Sequence, residues 1–223
     1  DKIQGSPSIY GGANPITKSI NFVTAHDGFT LRDLVSFNQK YNFANKEQNK
    51  DGENNNNSWN HGVEGPTSNS TIKSLRRQQQ KNLLFTLFIS RGVPMMLMGD
   101  EIGRSQGGNN NTWCQNNPLG WMNWNKNEQD LELLNYVKLL IKIRKKFIYL
   151  FNPSHLNSEE FINYQWHGIK TNSPDWSSWS HTLAFSLNES TNNEPLIWIA
   201  LNAYSKDIKF FPPKPSKNWV KII

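Results

Sequence analysis

The sequence predicts an α/β domain followed by an all-β module. Two observations predict the α/β domain: a strand, helix, strand order within residues 1–152, and polar residues directly after each of the two strands. One observation predicts the all-β module, because the pattern beyond Pro153 changes to short apolar runs separated by turn residues. We therefore expect two domains, 1–152 and 153–223, the second of them incomplete.

The elements of the first domain follow from hydrophobic periodicity. Residues 1–19 carry several glycines and prolines and are expected to form a loop. In chain order the predicted elements are a strand over 19–25, a short helix over 30–37, a helix over 72–90 capped by Ser70 or Thr71, a buried strand over 93–98 and a helix over 128–147. The predicted apolar faces are Ile72, Leu75, Leu83, Leu84, Leu87 and Phe88 in one long helix and Leu134, Val137, Leu140, Ile141 and Ile143 in the other. Polar loops over 38–70 and 104–127 lack any hydrophobic pattern, and loops this long are commonly functional.

The second domain is predicted to be a β-sandwich. Its sequence contains five short apolar runs with turn residues between them, which is the spacing of strands in such folds. The predicted strands are 162–167, 181–187, 196–200, 208–211 and 219–223.

Composition excludes several classes of protein. The net charge is +6, but the basic residues are scattered along the chain, whereas nucleic-acid binding needs them on one face. No run approaches the roughly 18 apolar residues of a membrane-spanning helix.

The single cysteine, Cys114, excludes an intrachain disulfide framework and favours a reducing compartment, for which we expect the cytoplasm. Because the chain starts at Asp1 without an initiator Met, we expect it to be a fragment of a longer polypeptide.

The chain is rich in asparagine and tryptophan. It has 31 Asn and 9 Trp residues, and amides with indoles are suited to sugars, which present hydroxyls and C–H faces. An AT-rich genome, which raises Asn and Lys together, is the alternative explanation for part of this count.

Polar residues follow both predicted strands. His26 and Asp27 come after the first strand, and Asp100 and Glu101 come after the second. This arrangement matches part of a (β/α)8 barrel, whose active sites lie at the carboxyl ends of the strands. A nucleotide-binding sheet is the alternative, but neither glycine-rich phosphate motif is present in the sequence.

The residues around His26 closely resemble a conserved region of the α-amylase superfamily in its isoamylase and glycogen-debranching form. The resembling stretches are Phe22 to Ser36, Asp51 to Asn56 with Ser58-Trp59-Asn60 and Gly62 to Gly65, Gly99-Asp100-Glu101 with Gln106 to Asn111 and Cys114-Gln115, and Trp166-His167-Gly168 with Pro174 to Ser177. Ala25 stands where generic α-amylases more often have Asn, so the resemblance is to debranching enzymes.

This resemblance implies a (β/α)8 TIM barrel followed by a β-sandwich, and an enzyme that cleaves α-1,6 branch linkages with retention. The implied partner is a branched α-glucan such as glycogen, amylopectin or a limit dextrin, with no redox cofactor, no nucleic acid and no membrane. The expected location is the cytoplasm, or the plastid stroma in a plant or alga.

By resemblance, His26 hydrogen-bonds the sugar at the cleavage site and Asp27 stabilises the transition state. The family's nucleophile and acid/base carboxylates lie upstream of this motif, and their sequence contexts do not occur in residues 1–223. Retaining hydrolysis needs two carboxyl groups about 5–5.5 Å apart. We therefore expect the chain alone to be inactive. We also expect it to be poorly folded, because two strands of an eight-stranded barrel leave edges and apolar faces uncovered.

Other residues are weaker candidates for substrate binding. Trp59, Trp113, Asp100 and Glu101 are expected to bind substrate, and Trp121 and Trp124 lie in the same loop as Trp113. For each of these tryptophans the alternative is packing that anchors its loop. For Asp100 and Glu101 the alternative is support of the loops, because adjacent residues at a strand end point in opposite directions. Asp51 and Glu53 fit no calcium loop, so no metal is expected. The alternative function is a noncatalytic glucan-binding or complementing subunit.

Overall fold

The computed structural model describes residues 1–10, 19–151, 163–189, 193–215 and 218–223. The chain divides into two compact units, Asp1–Asn152 and Pro153–Ile223. The first is a mixed α/β unit and the second is built on an antiparallel sheet.

Two short parallel strands form the sheet of the first unit. Strand β1 (Ile20–Asn21) pairs with β2 (Val93–Pro94), with Ile20 opposite Val93. The parallel pairing agrees with the predicted strand, helix, strand order, but both strands are much shorter than predicted. Val93 N donates to Ser19 O and Met95 N donates to Asn21 O, both at 2.8 Å. Pro94, which has no N–H group, therefore stands at a position whose nitrogen this ladder does not use.

The prediction that residues 93–98 are buried on both faces is wrong. Val93, Met95 and Met98 are 46%, 40% and 68% exposed, whereas Met96 is partly buried against the hydrophobic core, so only one face of this run is covered. Ile20 and Phe22 of the first predicted strand are also more than half exposed.

Five helices belong to the first unit as described. They are α1 (Pro7–Tyr10), α2 (Leu31–Leu34), α3 (Ser70–Ile89), α4 (Glu128–Lys146) and α5 (Ile148–Phe151). Short 3-10 turns occupy Lys2–Gln4, Phe43–Asn45, Asp100–Ile102 and Thr112–Cys114. The prediction of a loop over 1–19 is therefore corrected within residues 1–10, which form two short helical turns, and its residues 11–18 lie outside the described residues. None of the described helices combines the length and the apolar character needed to cross a bilayer.

Asparagines cap the two long helices. Asn69 Oδ1 accepts a hydrogen bond from Ile72 N at 3.1 Å, so Asn69 is the cap of α3, where Ser70 or Thr71 was predicted. Asn127 and Asp130 form a reciprocal capping box at the start of α4, which satisfies two backbone donors that the first turn leaves unpaired.

The core of this unit lies between α3 and α4. Its buried residues are Leu31, Leu84, Phe88, Leu133, Val137 and Leu140. The predicted face of α4 is shifted by one position at each end, because Leu133 and Arg144 are buried where Leu134 and Ile143 were predicted. Ile141 is 36% exposed. In α3 the buried face is polar at its N-terminal end, where Arg76 and Gln80 are buried while Leu75 is exposed.

Arg144 joins the two long helices. Its guanidinium group donates to the carbonyl oxygens of Phe88 at 2.5 Å, Ser90 at 2.8 Å and Gly92 at 2.5 Å. These carbonyls lie at or just past the end of α3, where they lack partners within the helix. The buried cation on α4 therefore caps the C-terminal end of α3.

The described part of the second unit contains one three-stranded sheet. Strands β3 (Asn163–His167), β4 (Thr182–Asn188) and β5 (Pro195–Asn202) are antiparallel in the order β3-β4-β5. Ala184, Phe185 and Leu187 of the central strand are fully buried. Three of the five predicted strands are thus present, and Ile162 of the first lies outside the described residues.

The predicted strands over 208–211 and 219–223 are wrong. Neither range forms a strand, and Phe211 N instead donates to Ile169 O at 2.9 Å. Pro212 and Pro213 follow and lack the N–H groups that a ladder needs. The described residues of the second unit form no second sheet, so a complete sandwich is not seen there.

Candidate functional site

His26 and Asp27 lie at the surface, in the segment that follows β1. Their side chains are 85% and 81% exposed, and His26 Nε2 is 3.3 Å from Asp27 Oδ2. An imidazole and a carboxylate so close and so open to solvent can both reach the hydroxyls of a bound sugar.

The backbone that carries this pair is held by Asp100. The Asp100 carboxylate accepts hydrogen bonds from Thr24 Oγ1 and, at 2.9 Å, from Leu31 N. Thr24 and Leu31 flank the pair in the sequence, so one carboxylate fixes both ends of the eight-residue segment from 24 to 31. Asp100 is 1% exposed, and its oxygens do not reach the surface.

Asp100 and Glu101 diverge. Glu101 Oε2 accepts from Gly99 N at 2.8 Å, within its own turn, while Asp100 turns toward the segment 24–31. Burial raises the pKa of Asp100 to about 6, although the hydrogen bonds from Thr24 and Leu31 act in the opposite direction and Glu101 adds repulsion. The geometry matches the alternative reading, in which these residues support the loops.

Gly28 provides the third attachment of the segment. Its N–H donates to the carbonyl oxygen of Asn110 at 3.0 Å. Gly28 has a φ of +132°, which side chains with a Cβ rarely adopt, and a Cβ there would touch nothing within 4 Å. Backbone conformation, and not crowding, is what favours glycine after Asp27.

A network of asparagine side chains holds Asn110 in place. Asn42 Oδ1 accepts from Asn110 N at 3.0 Å, and Asn42 Nδ2 donates to Asn110 Oδ1 at 2.8 Å. Asn42 and Asn109 are fully buried and Asn110 is 1% exposed, which is unusual for amides. The network joins the loops 38–57 and 106–115, so the long polar loops are ordered by hydrogen bonds instead of an apolar pattern.

Lys40 and Asp51 supply the charges of this network. Lys40 Nζ donates to the carbonyl oxygens of Asp51 at 2.7 Å, Gly52 at 3.3 Å and Lys50 at 3.4 Å. Asp51 Oδ2 accepts from Asn45 at 2.7 Å and Asn111 at 3.0 Å. Burial raises the pKa of Asp51, but the two amide donors outweigh burial and lower it overall. A lysine ammonium thus occupies the centre of three carbonyl groups.

Asp33 ties α2 to the loop after Asp100, and sequence reasoning missed it. The carboxylate accepts from Ser105 Oγ at 2.5 Å, Gln106 N at 2.7 Å and Gly108 N at 3.3 Å. It is fully buried, and burial raises its pKa against the effect of those donors. The available signal was Thr30 and Asp33 at the spacing of a helix N-terminus.

The indoles of the first unit are exposed. Trp59, Trp113, Trp121 and Trp124 are 62%, 79%, 55% and 72% exposed. The Trp59 ring packs on His61 with 4.3 Å between centroids, and Trp121 Nε1 donates to Asn116 Oδ1 at 3.1 Å. All four therefore present rings on which a sugar can stack.

The described residues contain no group of three His, Cys, Asp or Glu side chains that could hold a metal ion. Cys114 is exposed, and its Sγ lies 3.7 Å from Gln115 Nε2.

The C-terminal motif serves the fold of the second unit. His167 is 1% exposed, its Nδ1 accepts from Asn172 N at 3.0 Å, and its Nε2 lies 3.0 Å from Ser186 Oγ. Burial lowers the pKa of His167, against the hydrogen bond from Asn172. A Cβ on Gly168 would lie 2.2 Å from Ser173 O, so the turn after β3 requires glycine.

Comparisons with known proteins find similarity to isoamylases and glycogen debranching enzymes. A profile described as isoamylase 1-3, C-terminal, matches residues 165–223. The chain is 42% identical to isoamylase 1, chloroplastic, of Oryza sativa subsp. japonica, over 98% of this chain and 27% of that protein. It is 43% identical to the glycogen debranching enzyme of Dickeya chrysanthemi, over 77% of this chain and 26% of that protein. The chain thus spans about a quarter of the length of these curated relatives.

Two solved structures share the fold of this chain. The pullulanase from Bacillus acidopullulyticus aligns with a TM-score of 0.54 and 21% identity, over 84% of this chain and 18% of that one. The apo pullulanase from Paenibacillus barengoltzii aligns with a TM-score of 0.51 and 20% identity, over 83% of this chain and 23% of that one.

Proposed function

We infer that this chain forms part of an enzyme that hydrolyses α-1,6 branch linkages of an α-glucan. The predicted resemblance to isoamylase-type debranching enzymes is confirmed, because the alignments with such relatives cover up to 98% of the chain. The observation that carries the proposal is the exposed His26–Asp27 pair on a segment tied by Asp100 and Asn110. Such fixed geometry is what stabilisation of a transition state requires.

In this proposal the two side chains have different roles. His26 hydrogen-bonds a sugar hydroxyl next to the cleaved bond, and Asp27 binds hydroxyls and stabilises the oxocarbenium-like transition state. Asp100 is too buried to contact a polysaccharide and acts as a positioning residue, while Glu101, Trp59 and Trp113 stay candidates for substrate contact.

The proposed reaction needs two further carboxylates. A retaining mechanism uses a nucleophile and an acid/base about 5–5.5 Å apart, and the sequence contexts of both are absent from residues 1–223. We therefore propose that residues 1–152 are the last strand-helix units of a (β/α)8 barrel, that 153–223 belong to a β-sandwich, and that the chain alone does not hydrolyse glucan.

The name of the rice relative includes the word chloroplastic, which supports a location in the plastid stroma if this chain comes from a plant or alga. The name of the bacterial relative gives no location. The proposed substrate is a branched glucan such as glycogen, amylopectin or a limit dextrin.

Complementation tests the proposal. The 223-residue chain is mixed with a polypeptide that supplies the remaining barrel strands of a relative, and reducing ends are measured on amylopectin and on its debranched form. We expect release from amylopectin in the mixture only, and a loss of about a hundredfold or more in Asp27→Asn. Asp207→Asn, an exposed carboxylate of the second unit, is the matched control and should keep the activity. Release by the chain alone that survives Asp27→Asn would overturn the assignment.

A second function, noncatalytic glucan binding, is favoured by the four exposed indoles. It predicts that the chain binds soluble glucan without hydrolysis, and that Trp59→Ala and Trp113→Ala weaken this binding while Asp27→Asn does not.

A further inference from the structure

A cavity of about 410 Å³ lies beside α2 and α3, apart from the exposed His26–Asp27 pair. The volume is within the range of small-ligand sites. Four of its lining residues are cationic, Arg32, Lys73, Arg76 and Arg77, and the one lining carboxylate is Asp33. The cavity is therefore strongly positive.

The cations of this cavity are not paired with carboxylates. Among the described residues, none of the four has a carboxylate oxygen within ion-pair distance. The oxygens of Asp33 already accept hydrogen bonds from Ser105, Gln106 and Gly108.

The guanidinium groups also repel one another. Burial lowers the pKa of Arg76 and of Arg77, and the charge of Arg32 lowers both further. For Arg77, Asp130 and Glu132 act in the opposite direction from a distance, and for Arg76 Glu64 does so. Like charges gathered in one cavity are stabilised when an anion enters it.

Donors in the cavity are available to such an anion. Arg32 uses one bond of 3.3 Å, to Gly103 O, and Arg77 uses one of 3.3 Å, to Gln80 Oε1, so each has several N–H groups left. Arg76 is 7% exposed, and its Nε is a buried donor with no hydrogen-bond partner in the described structure. Its terminal nitrogens donate to carbonyls of Gly65 and Asn60, so this residue is fixed in place.

We propose that this cavity is a binding site for a phosphate group, free or esterified to a sugar, held by Arg32 and Arg77 with Lys73. Guanidinium groups bind phosphate oxygens in pairs, and three cations facing one cavity can neutralise a dianion. The side-chain amide of Asn127 also lines the cavity and can complete the shell. This inference does not depend on the proposed hydrolysis.

The test is calorimetric titration of the 223-residue chain with inorganic phosphate at constant ionic strength, with chloride as the reference anion. We expect saturable binding of phosphate that chloride does not reproduce. Arg32→Gln and Arg77→Gln should each weaken it about tenfold, the loss of one charge-assisted contact. Lys138→Gln and Lys145→Gln remove the same charge from the exposed face of α4 and should leave the affinity unchanged.

Glucose 6-phosphate and glucose distinguish the two sources of the phosphate group. Tighter binding of glucose 6-phosphate than of inorganic phosphate, with the same sensitivity to Arg77→Gln, indicates a sugar ester as ligand, and equal binding indicates free phosphate. Binding that equals that of chloride, or that both arginine variants retain while their near-ultraviolet circular dichroism is unchanged, would overturn the proposal.

Discussion

At the scale of single residues, the site depends on groups whose importance the sequence does not reveal. His26 and Asp27 could be predicted because they follow an apolar run and belong to a recognisable motif. The hydrogen-bond partners of Asp100 lie about 70 residues away in the chain and could not be predicted. A carboxylate at a strand end can either contact a substrate or support the neighbouring loops. Only the fold shows that Asp100 is buried and bonded to Thr24 and Leu31.

Asp100 should make stability depend on pH. Its folded pKa of about 6 lies above 3.8, the ordinary pKa of an aspartate, so the folded state favours the protonated acid. The stabilisation from this group is complete below about pH 4 and is lost as the pH rises to about 6. Across that window the wild type should lose roughly 3 kcal/mol of unfolding free energy relative to Asp100→Asn.

Urea unfolding of both chains at several values between pH 4 and pH 7 measures this difference, since other titrating groups are common to both. A constant difference across the range would show that Asp100 is not buried as described.

At the scale of elements, periodicity predicted the two long helices to within two residues at each end, because each buries a continuous stripe. Periodicity did not predict that polar residues are also buried on the core-facing sides of both helices. Arg76 and Arg144 occupy buried positions on α3 and α4, where each guanidinium satisfies carbonyl groups of neighbouring segments. In the sequence, Arg144 is one of several basic residues at a helix end, and nothing distinguishes it from Lys145.

Removing the Arg144 guanidinium should weaken the contact between α3 and α4. Arg144→Met keeps much of the aliphatic bulk but leaves the carbonyls of Phe88, Ser90 and Gly92 without their donor. We expect a loss of roughly 3 kcal/mol in unfolding free energy. Lys145→Met, on the exposed face next to it, should change stability by less than about 0.5 kcal/mol. Chemical denaturation compares the two variants, and equal effects would contradict the capping role.

At the scale of the whole molecule, the division at residues 152 and 153 separates two kinds of folding unit. The long loops of the first unit could not be predicted from hydrophobic pattern, because their order comes from amide hydrogen bonds between segments up to 70 residues apart. The asparagine count pointed to sugars or to genome composition, whereas the buried Asn42, Asn109 and Asn110 serve structure. The same network reaches the candidate site through the Asn110 carbonyl.

Disrupting the asparagine network should weaken the hydrogen bond from Gly28 N to Asn110 O. Asn42→Leu leaves Asn110 N and Oδ1 without partners, and we expect a destabilisation of about 3 kcal/mol with faster hydrogen exchange at the Gly28 amide. Asn54→Leu, exposed in the same loop, is the matched control. Exchange followed by NMR measures the effect, and an unchanged Gly28 amide in a destabilised Asn42→Leu chain would show that the network does not support the site.

The hydrogen bond from Gly28 N to Asn110 O also bears on chemical ageing. An aspartate followed by glycine is open to isoaspartate formation. The glycine nitrogen attacks the aspartate carboxyl carbon and closes a succinimide ring with loss of water, and water then opens the ring at either carbonyl. At Asp27 that nitrogen is engaged with a carbonyl oxygen 3.0 Å away, on backbone that is fixed on both sides. The network that holds the loop thereby slows the isomerisation of its most exposed carboxylate, and loss of Asn110 contact would shorten the working lifetime of the site.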